Sequence, residues 1–330
     1  MNQWNELTKI LTIVVAAVIV LAVFLASSRR NTYKLLNAIS LPAEITLHVI
    51  IALFALSCVI PFIFVIIISF SSQESLVSIG YSFFPASWST RSYEAAFKLG
   101  ATLWRSYFNS FVVTSAGTSL AVLICIMYSY GLFRKDYRFR GFFAFFAFFT
   151  MIFSGGLAPF VVVSRNLLGL TDNYAALIVP MLVNPFNFII MRTYYKTSIP
   201  ESIIEAARID GSGEFRTLFS IVVPIAKPGI ATIALLNAVA YWNDWYHSLL
   251  FIRDRTLYPL QYLLMEMQRN IEFITRNSAM LSAGTFTFSD LPTEGLRMAL
   301  CAFIVIPIAF AYPFFQRYII SGLTLGAVKE

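Results

Sequence analysis

Six stretches of this chain, about residues 45–70, 106–133, 142–163, 173–191, 228–252 and 295–315, are each close to twenty residues long and almost wholly apolar. A helix of about twenty apolar residues spans the hydrocarbon of a bilayer. Lipid offers no water to satisfy backbone N–H and C=O groups, so each crossing must bond its own backbone. These runs therefore predict an all-α polytopic membrane protein. Charged residues make up 12% of the chain, and mean hydropathy is +0.73. A soluble domain carries about 25% charged residues. A seventh run, Ile10–Ala26, is just long enough to cross. Glu6 and Lys9 precede it and Arg29, Arg30 and Lys34 follow it, the reverse of a signal peptide. We read it as an extra N-terminal transmembrane helix that begins outside.

The chain is basic, with 24 Lys and Arg against 17 Asp and Glu. In a membrane protein that excess marks cytoplasmic loops before it suggests nucleic acid. Arg134, Lys135, Arg138 and Arg140 form the most compact basic loop. Counting crossings from it places residues 71–105 and 253–294 outside and the C-terminus in the cytoplasm. Ser115 and Ser119 have the small-xxx-small spacing of close helix contacts. Ser154-Gly155-Gly156 with Pro159, and Pro180 with Pro185, interrupt two of the runs. The three cysteines sit in apolar runs and the two histidines stand alone, which gives no metal-ligand spacing.

Against this background Thr197–Pro224 is anomalous, being polar, charged and helical in pattern. Ser198 with Glu201 has capping-box spacing, with Pro200 in the first turn. Gly211 and Gly213 predict a break before a second helix that Pro224 stops. The crossing count puts the pair in the cytoplasm. Ile203, Ile204 and Ala207 form an apolar stripe, with Glu205, Arg208 and Asp210 polar beside it. The segment reads as a helix for a partner's groove; the alternative is an amphipathic loop lying on the membrane.

Glu205-Ala206-Ala207, Gly211 four residues later, and Ile221-Val222-Val223-Pro224 resemble the EAA pattern of bacterial ATP-binding-cassette importer permeases, with Val223 in place of the usual leucine. Over residues 45–330 the chain is similar to the carbohydrate branch, the MalG-like permeases, and within it to the LplC/YtcP-like group. The stretches Ser69-Phe70-Ser71-Ser72, Phe153–Leu157, Ile190-Met191-Arg192, Trp242-Asn243-Asp244-Trp245 and Leu257–Gln261 carry the likeness. The resemblance implies a six-helix type I (MetI-like) core in the bacterial inner membrane, preceded here by residues 1–44 as an extra helix and linker. It also implies partners: a second permease subunit, typically a different chain; two ATPase subunits that bind ATP and Mg; and an extracytoplasmic solute-binding protein. Coupling to the ATPases would fall to residues 197–224, through Glu205, Ala206, Ala207, Arg208, Asp210, Gly211 and Pro224. The chain has no G-x-x-x-x-G-K-[ST] phosphate loop, so hydrolysis is expected on a partner and no cofactor in this chain.

Polar groups at membrane depth are costly unless they face a cavity or a partner. Asn237, Tyr241, Asp244 with Trp245, and Ser248 recur at helical spacing, and Asn184 and Asn187 lie three apart near two prolines. Hydrogen-bonding amides beside aromatic faces suit sugars, which makes Asn184, Asn187, Asn237, Tyr241, Asp244 and Trp245 candidate oligosaccharide-pathway residues. The same side chains also read as an interfacial belt with Asn237 bonding a neighbouring helix. Tyr258 and Tyr262, in the mixed loop 253–294, are candidate contacts for the binding protein, or part of a solvated loop. An ion-coupled secondary sugar transporter would need a buried titratable relay, of which Asp244 is the lone trace, and an ABC permease for a non-sugar solute stays open. No paired acids or other catalytic constellation is visible.

Overall fold

The computed structural model describes residues 41–98, 100–276 and 294–310. The predicted helix at 10–26, both termini, loop residues 277–293 and the end of the last predicted span lie outside these. The described chain forms two compact units divided between Thr90 and Arg91, whereas the sequence suggests a boundary at 44/45.

In the first unit, α1 (Leu41–Ser69) carries the apolar run, with Pro61 inside it. The polar stretch after it folds back rather than trailing as a loop. Ser71 and Trp88 form an antiparallel bridge, and the Phe64 and Phe83 rings lie 4.4 Å apart. Ser72 caps α2 (Gln73–Ser78) by accepting from the Ser75 N–H at 3.1 Å.

The second unit is built on α4 (Ala101–Phe133), which follows the short α3 (Arg91–Lys98) and starts five residues before the predicted span. Its 33 residues make it about 50 Å long. Val113, Gly117, Ala121 and Cys125 form a buried stripe at four-residue spacing, whereas Ser115 and Ser119 are exposed. The small residues in the contact are thus Gly117 and Ala121. A Cβ on Gly117 would lie 2.6 Å from the Tyr241 ring, so only glycine admits this approach.

The predicted fourth span is a bent pair. α5 (Arg140–Ile152) ends before Gly156, and α6 (Leu157–Val162) with the π turn Val163–Leu167 departs at 115°. The fifth is α7 (Tyr174–Ile178) with the turn Val179–Met181, then α8 (Pro185–Ser198), bent by 52°. Pro180 and Pro185 sit in the first positions of their segments, where the N–H that proline lacks would have had no helical acceptor. The coupling stretch holds α9 (Glu201–Ile209) and α10 (Glu214–Thr217), which continues through a π turn to Ile225. α11 (Lys227–Trp242), α12 (Tyr246–Phe251), α13 (Leu260–Arg276) and the helical residues 294–310 complete the unit. α4 packs mainly against α11 and α8. Among the described residues two helices are long and apolar enough to cross a membrane alone, or up to five if each bent pair counts as one span.

Candidate coupling surface and transport pathway

α8 runs to Ser198, seven residues past the predicted end of the fifth span. That placement removes Ser198 from capping α9: it closes the preceding helix, and Pro200 takes the N-cap position without a side-chain bond. The break after α9 is as the glycine predicts. Gly211 has φ +77°, its N–H donates to the Arg208 carbonyl, and the Ser212 N–H donates to the Ala207 carbonyl at 2.9 Å. This paired bonding is the Schellman closure, and its left-handed residue favours glycine. Pro224 does not stop the second helix. The π turn Leu218–Val222 precedes it, and the chain bends two residues later, at Ala226, by 85°.

The two faces of α9 also differ from the sequence reading. Ile204 and Ala207 are both buried in the chain itself, Ile204 in a core cluster with Tyr195, Leu218 and Val222. The apolar groups that project are instead Ile209, 86% exposed, and Phe215, 68% exposed, with Glu205, Ala206 and Asp210 also exposed. Ion pairs fix this crest to the loop after α4. Arg134 bridges Asp136 at 2.7 Å and Glu214 at 3.0 Å, and Arg208 reaches Asp136 at 3.1 Å. Lys135 pairs with Glu201 at 2.5 Å, and the Tyr130 hydroxyl donates to Glu214 at 2.7 Å. The Arg134 hydrogen bond holds the Asp136 carboxyl below its ordinary range. Two clefts flank this network: one of about 480 Å³, lined by aromatics including Tyr137, Phe143 and Phe215, and one of about 560 Å³, lined mostly by charged groups.

At the other end of α4, Asp172, with φ +49°, accepts from the backbone N–H groups of Arg253 and Asp254 and joins two loops. Asn109, which the sequence reading missed, is 1% exposed and serves three partners. It donates to the carbonyls of Thr256 at 2.8 Å and Tyr258 at 3.2 Å, and accepts from the Tyr174 hydroxyl at 2.7 Å. Ser110 accepts from the Leu260 N–H at 2.8 Å. The available signal was the polar set Ser106, Asn109 and Ser110 inside an apolar span, a pattern that implies buried partners.

The six candidate pathway residues do not share one wall. The helix breaks at residues 243–245, so Asp244 and Trp245 leave the face that carries Asn237 and Tyr241. Asn237 is buried and donates back to the Ile233 carbonyl at 2.8 Å. Tyr241 is buried on Gly117 and donates to the Ile178 carbonyl at 2.9 Å. Asn187 is buried, while Asn184 is exposed and caps α8 by accepting from the Phe186 N–H. Asp244 binds His247 Nδ1 at 3.0 Å, and Trp245 is 41% exposed with its ring edge-on to Tyr246. Tyr258 and Tyr262 are both 7% exposed, their rings 4.6 Å apart edge to face, and they pack in the core rather than on a contact surface.

Residues 121–324 match the family model described as the binding-protein-dependent transport system inner membrane component. The chain belongs to this family. The permease is thus a multi-pass component of the inner membrane and of a transport system that works with a solute-binding protein. It is 35% identical, over 87% of its length and 98% of the relative's, to the polygalacturonan/rhamnogalacturonan transport system permease protein YtcP of Bacillus subtilis. It is 33% identical to Protein LplC of the same organism, over 82% of its own length and 89% of that chain. A crystal structure of a bacterial ABC transporter involved in import of the acidic polysaccharide alginate contains a chain that superposes with a TM-score of 0.72. That chain is 28% identical and is covered completely, against 87% of the permease. The MetI-like all-α fold expected from the sequence is the observed one. The matched stretch includes the whole crest, Glu205 to Phe215, and both clefts beside it.

Proposed function

We propose that the permease is the membrane-spanning subunit of an ATP-driven importer of oligosaccharides or polysaccharide fragments. A solute-binding protein delivers the saccharide from outside. A second permease subunit of different sequence completes the pathway, and two ATPase subunits bind ATP and Mg and hydrolyse it. The N-terminus lies outside and the crest and C-terminus lie in the cytoplasm. The transport relatives, with their polysaccharide names, support the saccharide class.

The observation that carries the coupling role is the projecting crest. Glu205, Ala206, Ile209 and Phe215 point away from the permease, while Ile204, Ala207 and three ion pairs hold the crest to α4 and its loop. An exposed helix with two apolar knobs is suited to a groove on a partner. Because α9 and α10 are tied to Arg134 at the end of the central helix, movement of the docked ATPases passes into α4. Alternating access then follows from rigid displacement of packed helices rather than from local chemistry. The saccharide contacts are assigned to Asn184 and Trp245, exposed at helix breaks; Asn187, Asn237 and Tyr241 serve helix packing, and the buried Asp244 side chain is held by His247.

The decisive measurement is co-purification of the ATPase with Ala206→Trp and Ile209→Asp variants, together with ATP-dependent uptake of neutral and uronic-acid oligosaccharides. The reading expects ATPase and uptake to be lost while the permease remains in the membrane. Unchanged assembly and uptake would overturn it.

A further inference from the structure

The larger cleft beside α9 holds an imbalance of charge. Five cations line it. Three are matched by carboxylates: Arg134 by Asp136 and Glu214, Lys135 by Glu201, and Arg208 by Asp136. Arg140 and Lys196 have no ion pair among the described residues. Arg192 lies one helical turn before Lys196 on α8, and its Nε is buried without a hydrogen-bond partner. Glu205 lines the same cleft but pairs with none of the three. Arg140 also opens α5, where Phe139 supplies no side-chain acceptor to the first turn. A cation there opposes the helix dipole. Converging donors without an acceptor call for an anion.

What continues from the cleft identifies the anion's carrier. Phe142, Phe145, Phe146 and Phe149 of α5, beginning two residues after Arg140, are all exposed. A phosphate carried on acyl chains satisfies both surfaces at once; free phosphate or a uronate satisfies only the first. Basic pockets between spans are where lipid headgroups bind. We propose that Arg140, Arg192 and Lys196 bind the phosphate of an anionic phospholipid whose acyl chains lie along the phenylalanines of α5. The bound lipid sits against the Lys135–Glu201 and Arg208–Asp136 pairs, so it also steadies the pose of α9. This inference does not depend on what docks on the crest.

The test uses the purified transporter in nanodiscs of phosphatidylcholine with a minor fraction of phosphatidylglycerol, and native mass spectrometry to count retained lipid. The wild type is expected to retain phosphatidylglycerol selectively. Lys196→Gln, at an exposed position that leaves packing intact, lowers retention several-fold, and Arg140→Gln with Arg192→Gln lowers it about tenfold or more. Lys135→Gln, whose charge is already matched, leaves it unchanged. Equal retention in Lys196→Gln and in the double variant would overturn the site. Displacement of the lipid by millimolar inorganic phosphate, or by a uronic-acid oligosaccharide, would overturn the lipid as occupant.

Discussion

The two ends of α4 are held by different physics. At the coupling end, Lys135 and Arg208 meet Glu201 and Asp136 at the surface, the largely buried Arg134 reaches out to Asp136 and Glu214, and the apolar knobs Ile209 and Phe215 point outward. From the middle of α4 to the opposite end, Tyr241, Asn109 and Ser110 are buried, and each uses its polar atoms on a backbone group of another element. Exposed ion pairs contribute little to stability and are screened by salt. Buried hydrogen bonds contribute modestly when made, but cost much when one partner is removed. The difference teaches a division of labour: one end fixes the fold, and the other holds a movable connection.

The comparison predicts that changes at the buried end act on stability and changes at the crest act on coupling. The largest effect belongs to Gly117→Leu, which drives a branched side chain into the Tyr241 ring. It should cost about 3 kcal/mol in an SDS-unfolding titration, and Tyr241→Ala in the same chain should restore much of it. Asn109→Leu comes next, at about 2 kcal/mol, since it leaves the Tyr174 hydroxyl and two carbonyls unserved; a neutral result would break the contrast from that side. Gly211→Val meets no neighbouring atom within 4 Å, but its φ is +77°. The left-handed backbone should therefore cost about 1 kcal/mol, read as faster hydrogen exchange confined to α9 and α10. Arg208→Gln, which opens the exposed pair with Asp136, should leave the unfolding midpoint nearly unchanged and lower saccharide uptake per ATP hydrolysed, with high salt reproducing part of the loss in the wild type. Proportional loss of stability and uptake would erase the distinction between the ends.

The smallest effect is that of pH. The Asp136 carboxyl is depressed by its hydrogen bond from Arg134 and by the nearby Arg134 and Arg208 charges. A depressed carboxyl contributes fully above its unfolded value of about 3.9 and loses that contribution as pH falls through the lower folded value. Hydrogen exchange in α9 should thus be insensitive to pH between about 8 and 5, once corrected for intrinsic rates, and rise only in stronger acid.

Much of the fold was legible because lipid leaves the backbone few choices. Apolar length predicts helices, and the glycine at 211 predicts the break after α9. The Glu-Ala-Ala spacing identifies the family, and the crossing count puts 134–140 and 197–224 on one side, where Lys135–Glu201 and Arg208–Asp136 join them. What stayed hidden were orientations and bends. Ser198 has a capping residue's chemistry, but α8 runs through it. Ser115 and Ser119 have contact spacing, but the Tyr241 ring selects Gly117, two residues from each and on another face of the helix. The stripe Ile203, Ile204 and Ala207 looks made for a partner, yet two of its members fill the permease's own core. Tyr258 and Tyr262 lie in a stretch rich in charge, and still they are buried against α4 and its neighbours.

The sequence by itself determined that this chain is a bundle of membrane helices with one polar helix pair, because burying a backbone in lipid and breaking a helix at glycine are local constraints. Only the tertiary structure decided which face of that pair is free, where spans bend, and which polar groups are satisfied inside. Those outcomes depend on whichever side chain from a distant segment arrives to share the space.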